Sequence, residues 1–267
     1  CQGAPSTSPG TTTESAPPET TAERQTTTST TREITDALDR TVTVPENVEE
    51  IVAVGAGSLN LVSYVDATDM VVGVEQTETK WGKLLPYNQA NPSLREKQVI
   101  GPNKGGDAEL IANAEPDLVV GTFFEAGAAD DLQSKIDRPV VVIRSEAQAH
   151  DEERFFERLR RLGSLLGRSQ RAEAVVSYYE SQLAALDERT ADVPAGEKSA
   201  AYIAGRSKGG GAGVTSTQES FAPFKYVNAK NAVQGIEGYA NVSSEKLLES
   251  DPDLGSSVQR RPEAPIV

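Results

Sequence analysis

Sulfur and imidazole are nearly missing from this chain. Its 267 residues hold one cysteine (Cys1), one histidine (His150), one methionine (Met70) and one tryptophan (Trp81). A single cysteine leaves no internal disulfide and no thiolate metal cage. A single histidine excludes a His-rich zinc or manganese site and leaves a Ser–His–Asp hydrolase without support. Basic residues are also short: 26 Lys and Arg face 40 Asp and Glu, giving a formal net charge of −14. That balance argues against phosphate-backbone binding, which needs clustered cations, so no nucleic-acid partner is expected. No run approaches the roughly 18 apolar residues that span a bilayer.

The first residue is the lone cysteine, and methionine occurs only at Met70. The expectation is a lipoprotein: a signal peptide cut directly before Cys1, whose thiol then carries a diacylglycerol. Two acyl chains hold a protein to a membrane stably, whereas one does so marginally. Residues 1–32 are almost wholly Thr, Ser, Pro, Glu, Ala and Gly. Such a composition cannot offset the entropy of ordering. It reads as a tether, with a mean reach of roughly 30 Å for some thirty flexible residues.

Beyond it, short apolar runs alternate with helical stretches. Residues 33–44 alternate like a hairpin. Strands are expected at Ile51–Val54, Met70–Val74, Leu118–Val120, Val140–Ile143 and Ala200–Ile203. Helices are expected at Leu59–Val65, Ala108–Glu115 and Ala126–Ile136. This alternation implies an α/β layer with a mainly parallel sheet. Residues 151–190 differ. Phe155, Leu159, Leu162 and Leu166, then Ala172, Val175, Tyr179, Leu183 and Leu186, keep helical spacing. Gly163, Gly167 and Ser169 suggest a break into two helices, with Ser169 capping the second. His150 would sit just before the first. Pro194 and Gly196 close the region.

An internal echo flanks this segment. Glu109 opens ELIANAEPDL and Glu245 opens EKLLESDPDL, each Glu seven residues before Pro-Asp-Leu. Asp107 and Ser243 are the expected helix caps. Two related lobes are therefore expected, with domains at 33–168 and 193–267 and a linking helix at 169–192.

The stretches EEIVAVGAGSLNLVSYV, VVGVE, AELIANAEPDLVVG, FFERLRRLGSLLGR and SSEKLLESDPDL follow one another in order. In this arrangement the chain resembles the substrate-binding proteins of ABC importers whose two Rossmann-like lobes are joined by one rigid helix, and which capture iron–siderophore, haem or cobalamin chelates. The resemblance implies no enzymatic activity and no intrinsic cofactor. It implies a monomer on the outer face of the membrane, passing a metal chelate to a permease and its ATPase. By position it places Ser58, Gln76, Trp81, Tyr87, Phe123 and Phe124 on the first lobe's side of the ligand, and Arg206, Lys208 and Tyr226 on the second. Aromatic faces would pack on the chelate and the cations would offset its carboxylates. It also implies that Glu109 and Glu245 dock the permease. One departure stands out: after Asp253-Leu254 the chain reads GSSVQRRPEAPIV, so the final strand and closing helix of the second lobe are expected to be missing.

Two other classes compete. Gly55-Ala56-Gly57 after a strand, with Glu75 ending the next, imitates part of a dinucleotide-binding fingerprint, although Asn60 replaces the third glycine. A surface-anchored structural or interaction protein is the remaining alternative. Gly209–Gly213 is not a P-loop, because no Gly-Lys-Ser/Thr follows.

Overall fold

The computed structural model describes residues 30–103, 105–143, 152–207, 213–236 and 238–257. In chain order the first half holds β1 (Thr31–Thr35), β2 (Thr41–Pro45), β3 (Ile51–Val54), α1 (Ser58–Tyr64), β4 (Val71–Val74), α2 (Gln76–Lys80), α3 (Pro86–Ala90), β5 (Gln98–Val99), α4 (Ala108–Asn113), β6 (Leu118–Gly121), α5 (Ala126–Ile136) and β7 (Val140–Val142). Then come α6 (Glu152–Leu165), α7 (Ser169–Thr190), β8 (Ala200–Ala204), β9 (Ser216–Gln218), α8 (Ala222–Tyr226), β10 (Lys230–Asn231), β11 (Tyr239–Asn241), α9 (Ser244–Glu249) and β12 (Leu254–Ser257). Among the described residues no helix is long and apolar enough to cross a membrane.

A parallel five-stranded sheet, ordered β5-β4-β3-β6-β7, forms the first half. Strands buried on both faces need continuous apolar runs, which IVAV, LVVG and VVV supply. One face packs Ile51, Leu118 and Val120 against Leu59 and Val62 of α1 and Leu159 and Leu162 of α6. The other packs Val52, Val54 and Val119 against Ile111 of α4 and Leu132 and Ile136 of α5. The hairpin β1–β2 forms as expected and is clipped to β7 by buried Asp36. Its carboxylate accepts from the Leu38, Arg40 and Val142 amides and pairs with Arg40 at 2.6 Å.

The segment 152–190 is two helices, with the break where Gly163, Gly167 and Ser169 suggested it, and the two do not run on in one line. Helix α6 folds back on α7: Arg160 bonds Glu173 at 2.8 Å, and a methyl built on Gly163 would lie 2.6 Å from the Ala172 methyl. Helical spacing shows which face is apolar but not whether consecutive helices continue or reverse. Gly167, at φ +67°, makes the reversal possible. Helix α6 and the first turns of α7 therefore belong to the first sheet's core. Only the later turns of α7 run free of it toward the second sheet. Its 22 residues make a rod of roughly 33 Å. Ser169 does not cap it; Arg168 occupies the cap position without a side-chain bond. The helix ends at Thr190, ahead of Pro194. His150 lies outside the described residues.

A parallel sheet ordered β10-β8-β12 follows, with β9 and β11 as an antiparallel ribbon. Its plan repeats the centre of the first sheet, β4-β3-β6. The Pro-Asp-Leu echo has a physical basis in both. Asp117 accepts from the Glu49 and Glu50 amides at the start of β3, and Asp253 accepts from the Ala200 amide at the start of β8. Glu115 and Asp251, each just before the Pro, both take positive φ. The missing-strand expectation is corrected here. Leu254–Ser257 does form a strand, registered on Ala201–Ala204, although all four residues are exposed. Backbone pairing to β8 holds it without an apolar face. Alanine at Asp253 is expected to loosen β12 from β8, seen as faster amide exchange at Ser256 than in the unaltered chain; equal exchange would contradict this role.

Candidate functional site

Strand order reverses between β3 and β6: β4 and β5 extend to one side of β3, β6 and β7 to the other. At such a point the loops leaving adjacent strands part in opposite directions and leave a crevice beyond the carboxyl ends. A cavity of about 350 Å³ lies there, lined by Gly55, Ala56, Thr122 and Phe123. Close backbone approach creates its floor. Gly55 has φ +90°, and any Cβ there would collide with the Thr122 carbonyl. Thr122 donates its hydroxyl to Ala56 O at 3.0 Å and its amide to Val54 O at 3.0 Å. Phe123 is 52 % exposed with φ +59°. An aromatic residue held left-handed costs on the order of 1–2 kcal/mol, so the fold imposes this conformation and presents the ring at the rim.

Glu75 braces the same rim. Its buried carboxylate accepts from the Gly55 amide at 3.2 Å and the Gly105 amide at 2.9 Å. Both oxygens are thereby engaged with this chain's backbone, which is why Glu75 does not serve as the ribose-binding acid of a dinucleotide site. Next to it, buried Glu78 accepts from the Tyr87 hydroxyl at 3.1 Å and from the Asn88 amide. Burial raises the Glu78 pKa above its ordinary 4.5, helped by the charge of Glu75 and opposed by the Asn88 and Tyr87 hydrogen bonds. The folded chain then binds this proton more tightly than the unfolded chain, so the group's contribution to stability falls as pH rises. Relative to Glu78→Gln, the unaltered chain is expected to lose stability as pH climbs from 4.5, read from urea midpoints. A difference that stayed flat or grew with pH would refute this.

The structure sorts the residues expected at the ligand. Gln76 and Trp81 are exposed at the two ends of α2, and Phe123 faces the cavity. Ser58, by contrast, is buried and donates its hydroxyl to Val120 O at 3.0 Å, tying α1 to β6. The Tyr87 hydroxyl is taken by Glu78. Phe124 packs on the α4–α5 face of the sheet and against Gly121. Tyr226, at the end of α8, leans toward Glu152 of α6, and burial raises its pKa. Each of these four has a partner within the chain. Lys208 and Cys1 lie outside the described residues. Glu109 and Glu245 are both exposed, in the first turns of α4 and α9, with Asp107 and Ser243 capping as expected.

Beyond the carboxyl end of β8, Arg206 is fixed by groups the sequence did not flag. Its Nε and Nη2 donate to Gln218 Oε1 at 3.1 and 2.9 Å, and Nη2 also reaches the Tyr239 hydroxyl at 3.3 Å. Its guanidinium lies 5.5 Å from the Phe221 ring centre and 5.6 Å from that of Tyr239. The β9–β11 register, which sets Gln218 opposite Tyr239, builds this cage. Residues 205–209 also spell the Gly-x-Ser-x-Gly pattern of hydrolase nucleophile elbows, which the sequence reading missed. Here the next described element is β9, whereas an elbow leads from strand to helix, and the chain's one histidine lies outside the described residues.

Two parallel sheets joined through a helix, with a crevice at the strand-order reversal, are an α/β arrangement with room for a small molecule. The sequence profile described as periplasmic binding protein matches residues 51–255, and the chain belongs to that family. Its members are binding proteins rather than enzymes, which places this chain among extracytoplasmic binding proteins. The molybdate-binding protein MolA of Haemophilus influenzae is 25 % identical over 240 residues, covering 83 % of this chain and 67 % of that protein. Its molybdate-bound structure superposes with a TM-score of 0.64 at 24 % identity, over 85 % of this chain and 73 % of that one. A periplasmic solute-binding protein from Veillonella parvula gives 0.67 at 19 % identity, over 85 % and 68 %. The petrobactin-binding protein YclQ from Bacillus subtilis gives 0.64 at 17 % identity, over 86 % and 78 %.

Proposed function

We propose that this protein captures a metal chelate of the ferric siderophore, haem or corrinoid kind and delivers it to an ABC permease. The observation that carries this reading is the cavity at the β3/β6 reversal with the Phe123 ring held at its rim. Its volume, about 350 Å³, is within the range of small-molecule sites. Phe123 and Trp81 offer flat apolar faces to a ligand scaffold, and Arg206 offers positive charge. A second reading, a bare oxyanion such as molybdate, is favoured by the relationship to MolA.

The lobes proposed are 33–168 and 193–267, with 169–192 as the link. Lys225 pairs with Glu152 of the first lobe at 2.8 Å, and Asn228 donates its side-chain amide to Thr190 O of the link at 3.2 Å. A helical link permits smaller hinge motion than flexible strands do, so the site would be largely preformed. The proposal includes a lipid anchor at Cys1, checked by labelling with a radioactive fatty acid that Cys1→Ala should abolish.

Titration with ferric siderophores, haem, cobalamin and molybdate, followed by calorimetry and by Trp81 fluorescence, tests the ligand class. Saturable binding of an iron chelate with Trp81 quenching is expected. Binding of molybdate alone would select the second reading, and no binding by any of them would sink both. Glu109 and Glu245 are proposed to dock the permease. Reversing both charges should leave solute affinity unchanged while abolishing uptake; normal uptake by that double variant would remove the docking role.

A further inference from the structure

The second lobe is held at two separate points. Near the end of α7, Asn228 donates its side-chain amide to Thr190 O at 3.2 Å and accepts from Lys198 Nζ at 2.6 Å. The other contact reaches past the link to the first lobe: Lys225 Nζ, in α8, donates to Glu152 Oε1 of α6 at 2.8 Å. Tyr226, the next residue of α8, also hydrogen-bonds Glu152. One carboxylate of the first lobe thus holds two side chains of the second. A single attachment at Thr190 would let the second lobe turn about the end of α7. A second attachment, on a different helix, fixes the angle.

Both ends of the Glu152 contact are stiff. Glu152 sits one helical turn before Phe155 and Phe156. Phe156 is buried in the first lobe's core, and the Phe155 ring meets Tyr64 at 5.8 Å and Tyr179 at 5.3 Å, both edge-on. Glu152 is therefore carried on a packed platform. At the other end, α8 leads to the second wall of the cleft. The Phe224 ring meets Phe221 edge-on at 5.1 Å, and the Phe221 ring centre lies 5.5 Å from the Arg206 guanidinium. A shift of α8 relative to Glu152 would carry Phe221 with it and disturb the support of Arg206.

We infer that Glu152 sets the spacing between the two walls of the cleft: by holding Lys225 and Tyr226 it keeps α8, and with it Phe221, at one distance from the first lobe, without touching the solute. This rests on the reading that the solute binds between the lobes. Glu152 is a positioning residue. Lys225 is more than half exposed, so the pair adds little to folding stability and acts through orientation. Walls already held in place lose less freedom when a solute arrives, and affinity rises by that saving.

The test uses the full chain with Cys1→Ser and with spin labels on Ser93→Cys and Ser244→Cys, positions exposed on the first and second lobes. Pulsed electron resonance then measures the distance between labels with the contact intact, in Glu152→Gln, in Lys225→Met and in the double variant. The intact contact should give one narrow distribution. Each single variant should broaden it, and the double variant should broaden it no further, because both changes remove the same interaction. Thermal midpoints should move little. Calorimetric titration of the unlabelled chains with ferric citrate, ferrioxamine B, haem, cobalamin and molybdate gives the second readout. Affinity for whichever of these binds should fall roughly fivefold in both single variants, the upper end for a partly exposed ion pair. An unchanged distance distribution, or an unchanged affinity, overturns the inference and leaves the solute-binding reading standing. If the unaltered protein binds none of the five, the solute-binding reading fails, and the distance distribution alone decides whether Glu152 spaces the lobes.

Discussion

Gly55→Val is expected to cost roughly 2–5 kcal/mol of folding stability and to abolish solute binding. The position sits at φ +90°, a region closed to β-branched side chains, and its Cβ direction is filled by the Thr122 carbonyl and by Thr122 Oγ1 at 2.7 Å. The cost combines about 1–2 kcal/mol for a left-handed residue with about 1–3 kcal/mol for overpacking against backbone. The backbone shift that relieves the clash would also displace the Gly55 amide from Glu75, which braces the cavity rim. Urea denaturation and calorimetric titration measure the two effects separately. A variant with native stability and affinity would show that the approach of β3 to β6 is not what shapes the site.

Asp36→Ala is expected to be comparably severe, about 3–5 kcal/mol, the usual result of stripping one partner from a buried ion pair. Asp36 is 1 % exposed, and its loss leaves Arg40 without its closest anion and three amides, of Leu38, Arg40 and Val142, without their acceptor. The remaining partner, Asp130, is largely exposed and compensates little. The hairpin β1–β2 would detach from the β7 edge, where Ala37 N now donates to Val142 O at 2.9 Å. Asp36→Asn keeps one acceptor and should lose less. Hydrogen exchange would register the difference as lost protection confined first to 31–45 and β7.

The parallel sheet was legible in the sequence because strands buried on both faces must be uninterrupted apolar runs, as at Ile51–Val54 and Val140–Val142. Helix α5 was legible to the residue, since Gly127 and the polar positions leave one apolar stripe, Ala129, Leu132 and Ile136. Residues 76–96 were not. Their short helices start at Pro86 and Pro92 and bury single side chains such as Asn88 and Leu94, too few to print a period. Strand β12 was invisible because LGSS has no buried face and pairs through backbone alone.

Legibility at the site divided along the same line. Glu75 stood out by its spacing from Gly55, but spacing could not reveal that its oxygens serve the chain's own amides. Trp81 stood out as an aromatic in a polar loop and Phe123 only by its position in the family arrangement; both are exposed. The hydroxyls of Ser58 and Tyr87 donate to Val120 O and to Glu78, pairings that only the packing reveals. Gln218, Phe221 and Tyr239 carried no sequence signal. A glutamine opposite a tyrosine becomes meaningful only through the β9–β11 register and the return of Arg206 beside it.

The central claim is that one solute is held between the β3/β6 crevice and the caged arginine beyond β8. A crystal structure of the protein loaded with the chelate that binds it best tests this most directly. The account predicts ligand density in contact with Phe123 and Thr122 on one side and with Arg206 on the other. Density seated elsewhere, or touching only one of the two sheets with Arg206 facing bulk water, would contradict it.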